Sequence, residues 1–187
     1  MNAVWIDVPE EFLENRRRLG HDKRDELWEG ELHMVPPGTS VHGSVADEIA
    51  FALHPIAKRR ALIARTGHTG VFDPKVDNSY RMPDAMVARP EQLSERGLEG
   101  AELVVEVLSP HDESRKKFEF YARIGVREIW LIEPKTRATE LYALREGRYE
   151  PIPFEAGMAR SAVLGITLEV IEGPLLRLRD GTGVHDV

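Results

Sequence analysis

The chain has 187 residues, of which 42% are hydrophobic and 30% charged, and its formal net charge is -7. This length provides one good-sized core, so we predict a single domain over 1–187. The acidic balance excludes a protein that binds nucleic acid through phosphate contacts alone, because such proteins are usually basic. Without cysteine, disulfides and thiolate metal sites are excluded. We recognise neither a leader nor a membrane-spanning apolar run, and therefore expect a cytoplasmic protein with no membrane partner.

Two helices and a hairpin are predicted before residue 60. The first helix, over 9–19, has acidic residues in its first turn, basic residues in its last and Gly20 as stop signal. Short apolar runs at 26–28 and 31–35 predict the hairpin. The second helix starts at Ser40, a good N-cap, and its apolar residues recur at helical spacing to about residue 57. We expect this helix to lie on the main sheet.

The rest of the chain is predicted to be mostly strands. They are placed at 61–64, 70–72, 84–88, 102–109, 128–132, 139–144, 149–154 and 166–171. A helix from near Asp112 to Gly125 joins two buried strands, which indicates a crossover between parallel neighbours. Residues 89–100 are predicted as a loop with one helical turn, and the tail after Gly173 as poorly ordered at its very end.

These elements predict an α/β fold with a central mixed sheet flanked by helices and with additional N- and C-terminal strands. The core is expected over about 39–145, preceded by the helix and hairpin over 9–36. The C-terminal strands over 146–172 are expected to extend or cover the sheet.

A carboxylate, Glu106, stands within the most apolar strand of the chain, where a charge is not ordinarily found. An ionised carboxylate buried without a partner costs several kcal/mol, so something positive should lie beside it. Two partners fit the sequence: a metal ion shared with a second carboxylate, or a basic side chain from the helix that follows.

Asp84 is the natural second carboxylate, because it heads the preceding predicted strand and can approach the face that carries Glu106 if the two strands are neighbours. Two carboxylates that meet repel each other unless a divalent cation lies between them. Their hard oxygen atoms favour Mg²⁺ or Mn²⁺ over zinc. Lys117, on the following helix, shares a face with Tyr121 and can reach back over both carboxylates.

The chain resembles a known family at four short segments and at the region that precedes them. The segments are Pro83-Asp84, Leu103 to Pro110, Lys117 with Tyr121, and Gly125 to Ile132, and the preceding region is Leu27 to His42. Together they are similar to the Uma-two family of the PD-(D/E)XK nuclease superfamily, whose members are classed as restriction endonucleases. The resemblance implies a restriction-endonuclease-like fold, a nuclease activity, and a homodimer.

Carried over by position, the resemblance implies that Asp84 and Glu106 bind the metal and that Lys117 is the active-site lysine. The superfamily usually places this lysine two residues after the glutamate, where this chain has Leu108. The resemblance therefore implies that the active-site lysine lies on the following helix instead, at Lys117. Lys116 is its rival there, although a helix would point the two side chains about 100° apart.

The predicted function is divalent-metal-dependent hydrolysis of phosphodiester bonds in nucleic acid, with DNA as the expected substrate. The backbone carbonyl of Val107 is a further candidate ligand of the Mg²⁺ or Mn²⁺ ion. Two alternatives stay open: a non-catalytic DNA- or protein-binding module of the same fold, and a metal-dependent hydrolase of a small phosphorylated substrate. For Glu106 alone, a structural ion pair with Lys117 is the competing interpretation.

Several other residues are weaker candidates. His42, near the start of its helix, can contact phosphate or lie by the metal, or can be an ordinary helix-surface histidine. Tyr121 is a possible substrate-binding residue, but we favour a core position for it, as for Trp130. The remaining candidates are acidic residues, Glu31 and Glu48, and histidines without zinc-ligand spacing, His68 and His111.

Overall fold

The computed structural model describes residues 8–110 and 112–187. Its helices are α1 (Glu10–Leu19), α2 (Ser40–Lys58) and α3 (Phe118–Arg123), and single 3-10 turns occupy Pro90–Gln92 and Ser114–Lys117. The first nine strands are β1 (Glu26–Trp28), β2 (Glu31–His33), β3 (Ile63–Thr66), β4 (Val71–Phe72), β5 (Tyr80–Arg81), β6 (Ala85–Ala88), β7 (Leu93–Ser94), β8 (Gly97–Leu98) and β9 (Leu103–Val107). The remaining strands are β10 (Glu128–Ile132), β11 (Thr139–Arg145), β12 (Arg148–Ile152), β13 (Met158–Ser161), β14 (Ile166–Ile171), β15 (Leu175–Asp180) and β16 (Gly183–Asp186).

The described strands form three sheets. The central sheet has the order β12-β11-β10-β9-β6-β3, with β9 and β10 parallel and the other pairs antiparallel. The N-terminal sheet has the order β2-β1-β5-β4-β8-β7, and the C-terminal sheet the order β13-β14-β15-β16. The predicted α/β class, with a mixed central sheet flanked by helices, is therefore confirmed, as are the hairpin and the parallel pair.

The central sheet is covered on both faces because its middle strands are apolar on both sides. Helix α2 and the C-terminal sheet pack on one face, where β9 presents Leu103, Val105 and Val107. Helix α3 packs on the other face, where β9 presents Val104. The predicted position of α2 on the main sheet is confirmed, although its N-cap is Thr39, whose hydroxyl accepts the His42 N–H, rather than Ser40.

The prediction of a poorly ordered C-terminus is wrong. After Gly173 the chain forms β15 and β16, and Val187 exchanges two backbone hydrogen bonds with Leu176. Leu176 and Leu178 point into the core while the arginines between and after them face outward. This two-residue alternation is the pattern of a half-buried strand, and it is already present in the sequence.

Two other segments differ from their predictions. The loop over 89–100 contains the predicted helical turn, but it also forms the hairpin β7–β8, which joins the N-terminal sheet. The helix predicted over 112–125 begins as a 3-10 turn and is α-helical for six residues only. Asp112 precedes the turn and accepts the backbone N–H of Ser114, whereas His111 lies outside the described residues.

No helix within 8–110 or 112–187 combines the length and the apolar character that a bilayer span requires.

Arg59 and Arg60, which follow helix α2, form ion pairs with Asp180 of the C-terminal sheet. The buried Asp180 carboxylate pairs with the Arg59 guanidinium and also accepts two hydrogen bonds from Thr182. Burial opposes its charge, but these partners hold the pKa of Asp180 well below its ordinary value. We expect Asp180→Asn to lower the free energy of unfolding at pH 7 by about 1–3 kcal/mol, as measured by urea denaturation.

The pH dependence of this effect follows from the lowered pKa. A carboxylate with a lowered folded-state pKa stabilises the fold above its unfolded-state pKa, and this stabilisation is lost as the pH falls toward the folded-state value. The gap between wild type and Asp180→Asn should therefore narrow below pH 4, near the ordinary aspartate pKa. Asp77→Asn, at an exposed turn, serves as the control. A gap that stays constant down to pH 2.5 would contradict the assignment.

Candidate active site

The candidate site lies at the carboxyl end of β9, on the face of the central sheet that α3 covers. Asp84 immediately precedes β6, and β6 pairs with β9 in the register Ala85 to Val105. This register brings Asp84 beside the end of β9, where its Oδ2 accepts the backbone N–H of Val107 at 2.8 Å. Two neighbouring strands thus bring together Asp84, Glu106 and the Val107 backbone.

Glu106 is 4% exposed, and its carboxylate is held by two side chains from the segment after β9. Lys117 Nζ lies 3.1 Å from Oε1 and 3.3 Å from Oε2, and the Tyr121 hydroxyl donates to Oε1 at 2.6 Å. Burial raises the pKa of Glu106 to about 7, although the charge of Lys117 opposes this rise. Near neutral pH, Glu106 is therefore poised between its protonated and ionised forms.

Lys117 is shared between Glu106 and a carboxylate of the N-terminal hairpin, Glu26, whose Oε1 lies 2.9 Å from Nζ. Burial disfavours the charge of Lys117, but these two carboxylates outweigh it and raise its pKa above the ordinary lysine value. Glu26 Oε1 also accepts the Met82 N–H at 2.8 Å, and its Oε2 accepts the Trp28 indole N–H at 2.8 Å. Glu26 therefore fixes the lysine to both β1 and the segment that carries Asp84.

Two basic side chains approach Asp84. Arg24 donates to Oδ1 at 2.5 Å, and His42 Nε2 lies 3.3 Å from Oδ2. Burial favours the neutral form of Asp84, but the hydrogen bond and charge of His42 and the charge of Arg24 hold its pKa below the ordinary value. In turn, the hydrogen bond with Asp84 raises the pKa of His42. Asp84 is thus ionised, and His42 is biased toward its charged form.

The turn before β1 and the first residue of β1 each supply one side chain to the site. Arg24 reaches Asp84 and Glu26 reaches Lys117. Asp25, between them, points the other way, accepts the Val35 N–H at 3.0 Å and pairs with Arg16 at 2.5 Å. Asp25 therefore anchors the chain between Arg24 and the start of β1, where Glu26 lies.

The structure gathers most of the residues singled out from the sequence. Those brought together are Asp84, Glu106, Val107, Lys117, Tyr121 and His42. Tyr121 is fully buried with its hydroxyl on Glu106, so we assign it to that carboxylate and not to substrate contact. Lys116, the rival lysine, is exposed and pairs with Glu113 at 2.5 Å instead.

The weaker candidates lie elsewhere. Glu31 is exposed on β2, His68 is exposed after β3, and Glu48 bonds Ser44 and Arg137 on the outer side of α2. Trp130 is buried in the core, as expected.

Sequence reasoning missed Glu26 and Arg24. Glu26 offered the same signal as Glu106, since strand alternation places it on one face with the apolar Trp28. A carboxylate on the apolar face of a strand requires a positive partner wherever it occurs. Arg24 gave no comparable signal, because an arginine in a polar loop is most often a solvated charge.

The site offers carboxylate and backbone carbonyl oxygen atoms, which are the ligands that hard divalent cations prefer. Within the described ranges, no three His, Cys, Asp or Glu side chains are arranged as a metal cluster. Mg²⁺, however, is commonly held by one or two carboxylates, with waters and substrate phosphates completing its shell. Asp84 and Glu106 would supply these carboxylates, and the Val107 carbonyl a third protein oxygen. The donor set therefore fits Mg²⁺ or Mn²⁺, but not a closed zinc site.

Comparisons with known proteins give a solved structure of similar fold and the family of the chain. A solved structure described as "a putative nuclease belonging to DUF820 from Anabaena variabilis" matches with a TM-score of 0.62 and 17% sequence identity, over 77% of this chain and 84% of that one. No curated protein matches the chain. The family Uma2, described as "Putative restriction endonuclease", matches residues 9–171. Since this match spans most of the 187 residues, the chain belongs to the Uma2 family.

Proposed function

We propose that this chain is a divalent-metal-dependent nuclease that hydrolyses phosphodiester bonds of DNA. The observation that carries the proposal is the convergence of two buried carboxylates, Asp84 and Glu106, with the ammonium of Lys117, a side chain only 12% exposed, on Glu106. Buried charges of this kind are costly to a fold and are concentrated at functional sites. Membership of a family described as restriction endonucleases supports the same activity.

Asp84 and Glu106 would hold the cation from neighbouring strands, with the Val107 carbonyl beside them. A bound Mg²⁺ or Mn²⁺ ion lowers the pKa of a water molecule and polarises a phosphodiester oxygen. Tyr121 orients the Glu106 carboxylate through its 2.6 Å hydrogen bond, so the ligand is placed before any ion arrives. Asp84 is oriented in the same way by the Val107 N–H.

Lys117 supplies the positive charge that the reaction requires from the protein. Its two carboxylate partners keep it protonated and direct its ammonium toward Glu106. From there it can orient the attacking water or stabilise the negative charge that develops on the phosphate oxygens. Glu26 acts through the lysine and is therefore a positioning residue.

DNA as substrate is consistent with the acidic balance of the chain only if cations mediate the contact. A net charge of -7 repels a polyanion, and metal-bound carboxylates remove that repulsion at the site itself. The homodimer and the cytoplasmic location that we expect from the sequence stay predictions.

The test is Mn²⁺-dependent cleavage of supercoiled plasmid DNA by wild type, Asp84→Asn and Asp47→Asn. Asp47 is exposed on α2 and provides the same chemical change outside the site. We expect EDTA to abolish cleavage, Asp47→Asn to cleave at the wild-type rate, and Asp84→Asn to lose about 10²-fold or more, since even outer-shell changes at metal sites cost 10–100-fold. Equal rates for wild type and Asp84→Asn would overturn the proposed site.

A further inference from the structure

Arg24 occupies a place on Asp84 that a metal ion would need. Its guanidinium donates to Asp84 Oδ1 at 2.5 Å, while the other oxygen, Oδ2, receives the Val107 N–H and the His42 ring. Every oxygen of Asp84 thus already has a donor from the protein. A cation that binds Asp84 must displace one of these donors or repel it.

Arg24 is the donor that can leave most easily. The Val107 N–H belongs to the backbone of a buried strand, and His42 is carried by α2, whose inner face packs on the central sheet. Arg24 lies instead on the loop before β1, where its side chain is 33% exposed. Its route away from Asp84 therefore opens to solvent and requires no movement of the core.

The contact of Arg24 with Asp84 is also incomplete. A guanidinium bound to a carboxylate usually forms two parallel hydrogen bonds, but a single one forms here among the described residues. Within that part of the chain, the Arg24 Nε–H is buried without a hydrogen-bond partner. This unsatisfied donor raises the free energy of the paired state, so the exchange of Arg24 for another cation costs less than the loss of a full bidentate pair would.

We propose that Arg24 holds the place of the metal ion on Asp84 in the metal-free protein, and that metal binding displaces its guanidinium. The inference rests on the proposed function, because it takes Asp84 to be a metal ligand. Guanidinium and divalent cation compete for one carboxylate, and their like charges repel each other at this short range. Arg24 therefore weakens metal binding, and keeps the buried carboxylate compensated when no metal is present.

The competition is tested by calorimetric titration of MnCl₂ into wild type, Arg24→Gln and Arg18→Gln. Arg18 is the matched control, because it is exposed on α1, bonds Asn15 and changes the net charge of the chain by the same amount. We expect Arg24→Gln to bind Mn²⁺ about fivefold or more tightly than wild type, which corresponds to about 1 kcal/mol. Arg18→Gln should change the affinity by less than about twofold, as for an exposed, screened charge.

Two further variants make the result decisive. Arg24→Lys keeps a positive charge on the loop and should bind Mn²⁺ no more than about twofold more tightly than wild type. This result would show that the tighter binding of Arg24→Gln comes from the loss of charge and not from local unfolding. Asp84→Asn should lose the site whether or not Arg24 is present. Binding by Arg24→Gln but not by wild type would support the competition in its strongest form.

The inference and the proposed function fail in different ways. Equal Mn²⁺ affinity for wild type and Arg24→Gln, with binding lost in Asp84→Asn, overturns the role of Arg24 and leaves the metal site standing. Mn²⁺ binding that survives in Asp84→Asn, or its absence from wild type and Arg24→Gln alike, overturns both.

Discussion

Replacement of Lys117 by glutamine is expected to lower the free energy of unfolding by about 3–5 kcal/mol near pH 8, the usual cost of leaving buried charges without their partner. Lys117 compensates two carboxylates that are almost wholly buried, Glu106 and Glu26. Glutamine can still donate a hydrogen bond to one of them, but it cannot neutralise either. The measurement is urea denaturation of the metal-free protein in EDTA.

The loss of stability caused by Lys117→Gln should increase as the pH rises. In wild type the pKa of Glu106 is raised by burial to about 7, and Lys117 limits the rise, so its loss raises this pKa further. An acid with a raised folded-state pKa destabilises the fold progressively as the pH rises from its unfolded to its folded value. In Lys117→Gln, the destabilisation caused by ionisation of Glu106 continues to grow above pH 7. In wild type it no longer grows there. The deficit should therefore be larger at pH 8.5 than at pH 5.5.

Lys116→Gln is the control, because Lys116 directly precedes Lys117 and its side chain is 66% exposed. An exposed ion pair contributes about 0–1 kcal/mol, so the control should unfold near the wild-type midpoint at both pH values. If Lys117→Gln and Lys116→Gln behaved alike, Lys117 would not be the compensating charge of the site.

The central sheet and the paired carboxylates were predictable from the sequence because both produce local patterns. Apolar strands such as 102–109 and 128–132 stand out by density, and Glu106 stands out as the exception within one of them. Adjacency of strands then follows from the crossover rule, which predicts that β9 and β10 are parallel. A charged residue within an apolar strand can therefore be recognised from the sequence alone.

The rest depends on contacts between distant parts of the chain. Glu26 meets Lys117 across 91 positions, and Arg24 meets Asp84 across 60. No periodicity links such pairs, since the N-terminal sheet that carries β1 is assembled from short strands spread over 26–98. Glu26 and Arg24 nevertheless supply opposite charges to Lys117 and Asp84, respectively. The sequence thus identifies the carboxylates of the site more readily than the residues that control their charge.

Replacement of Glu106 by glutamine is expected to separate activity from stability. Glutamine keeps the shape of the side chain and can accept the Tyr121 hydroxyl bond, while Lys117 retains Glu26 as its charged partner. Cleavage should nevertheless fall by about 10²-fold or more, because a neutral amide is a poor ligand for Mg²⁺ and because changes one shell further out already cost 10–100-fold.

Stability should change in the opposite sense to that of most core substitutions. A pKa raised from 4.5 to about 7 means that ionisation of Glu106 destabilises the fold progressively between these two pH values and to its full extent above pH 7. Glutamine does not ionise, so the variant avoids this loss. We expect the stability of Glu106→Gln relative to wild type to improve by about 2–3 kcal/mol between pH 5 and pH 8 in EDTA, at 1.36 kcal/mol per pKa unit.

Glu106→Gln therefore distinguishes a functional carboxylate from a structural one. A carboxylate retained for structure would leave the variant less stable than wild type at pH 8, because the ion pair with Lys117 would be lost without compensation. A carboxylate retained for metal binding leaves it at least as stable but inactive, since the protein tolerates an unfavourable buried charge for its chemistry. Urea denaturation at pH 5 and pH 8, with plasmid cleavage in Mn²⁺ on the same preparations, measures both quantities. The combination of lost cleavage and retained stability is the result that we expect.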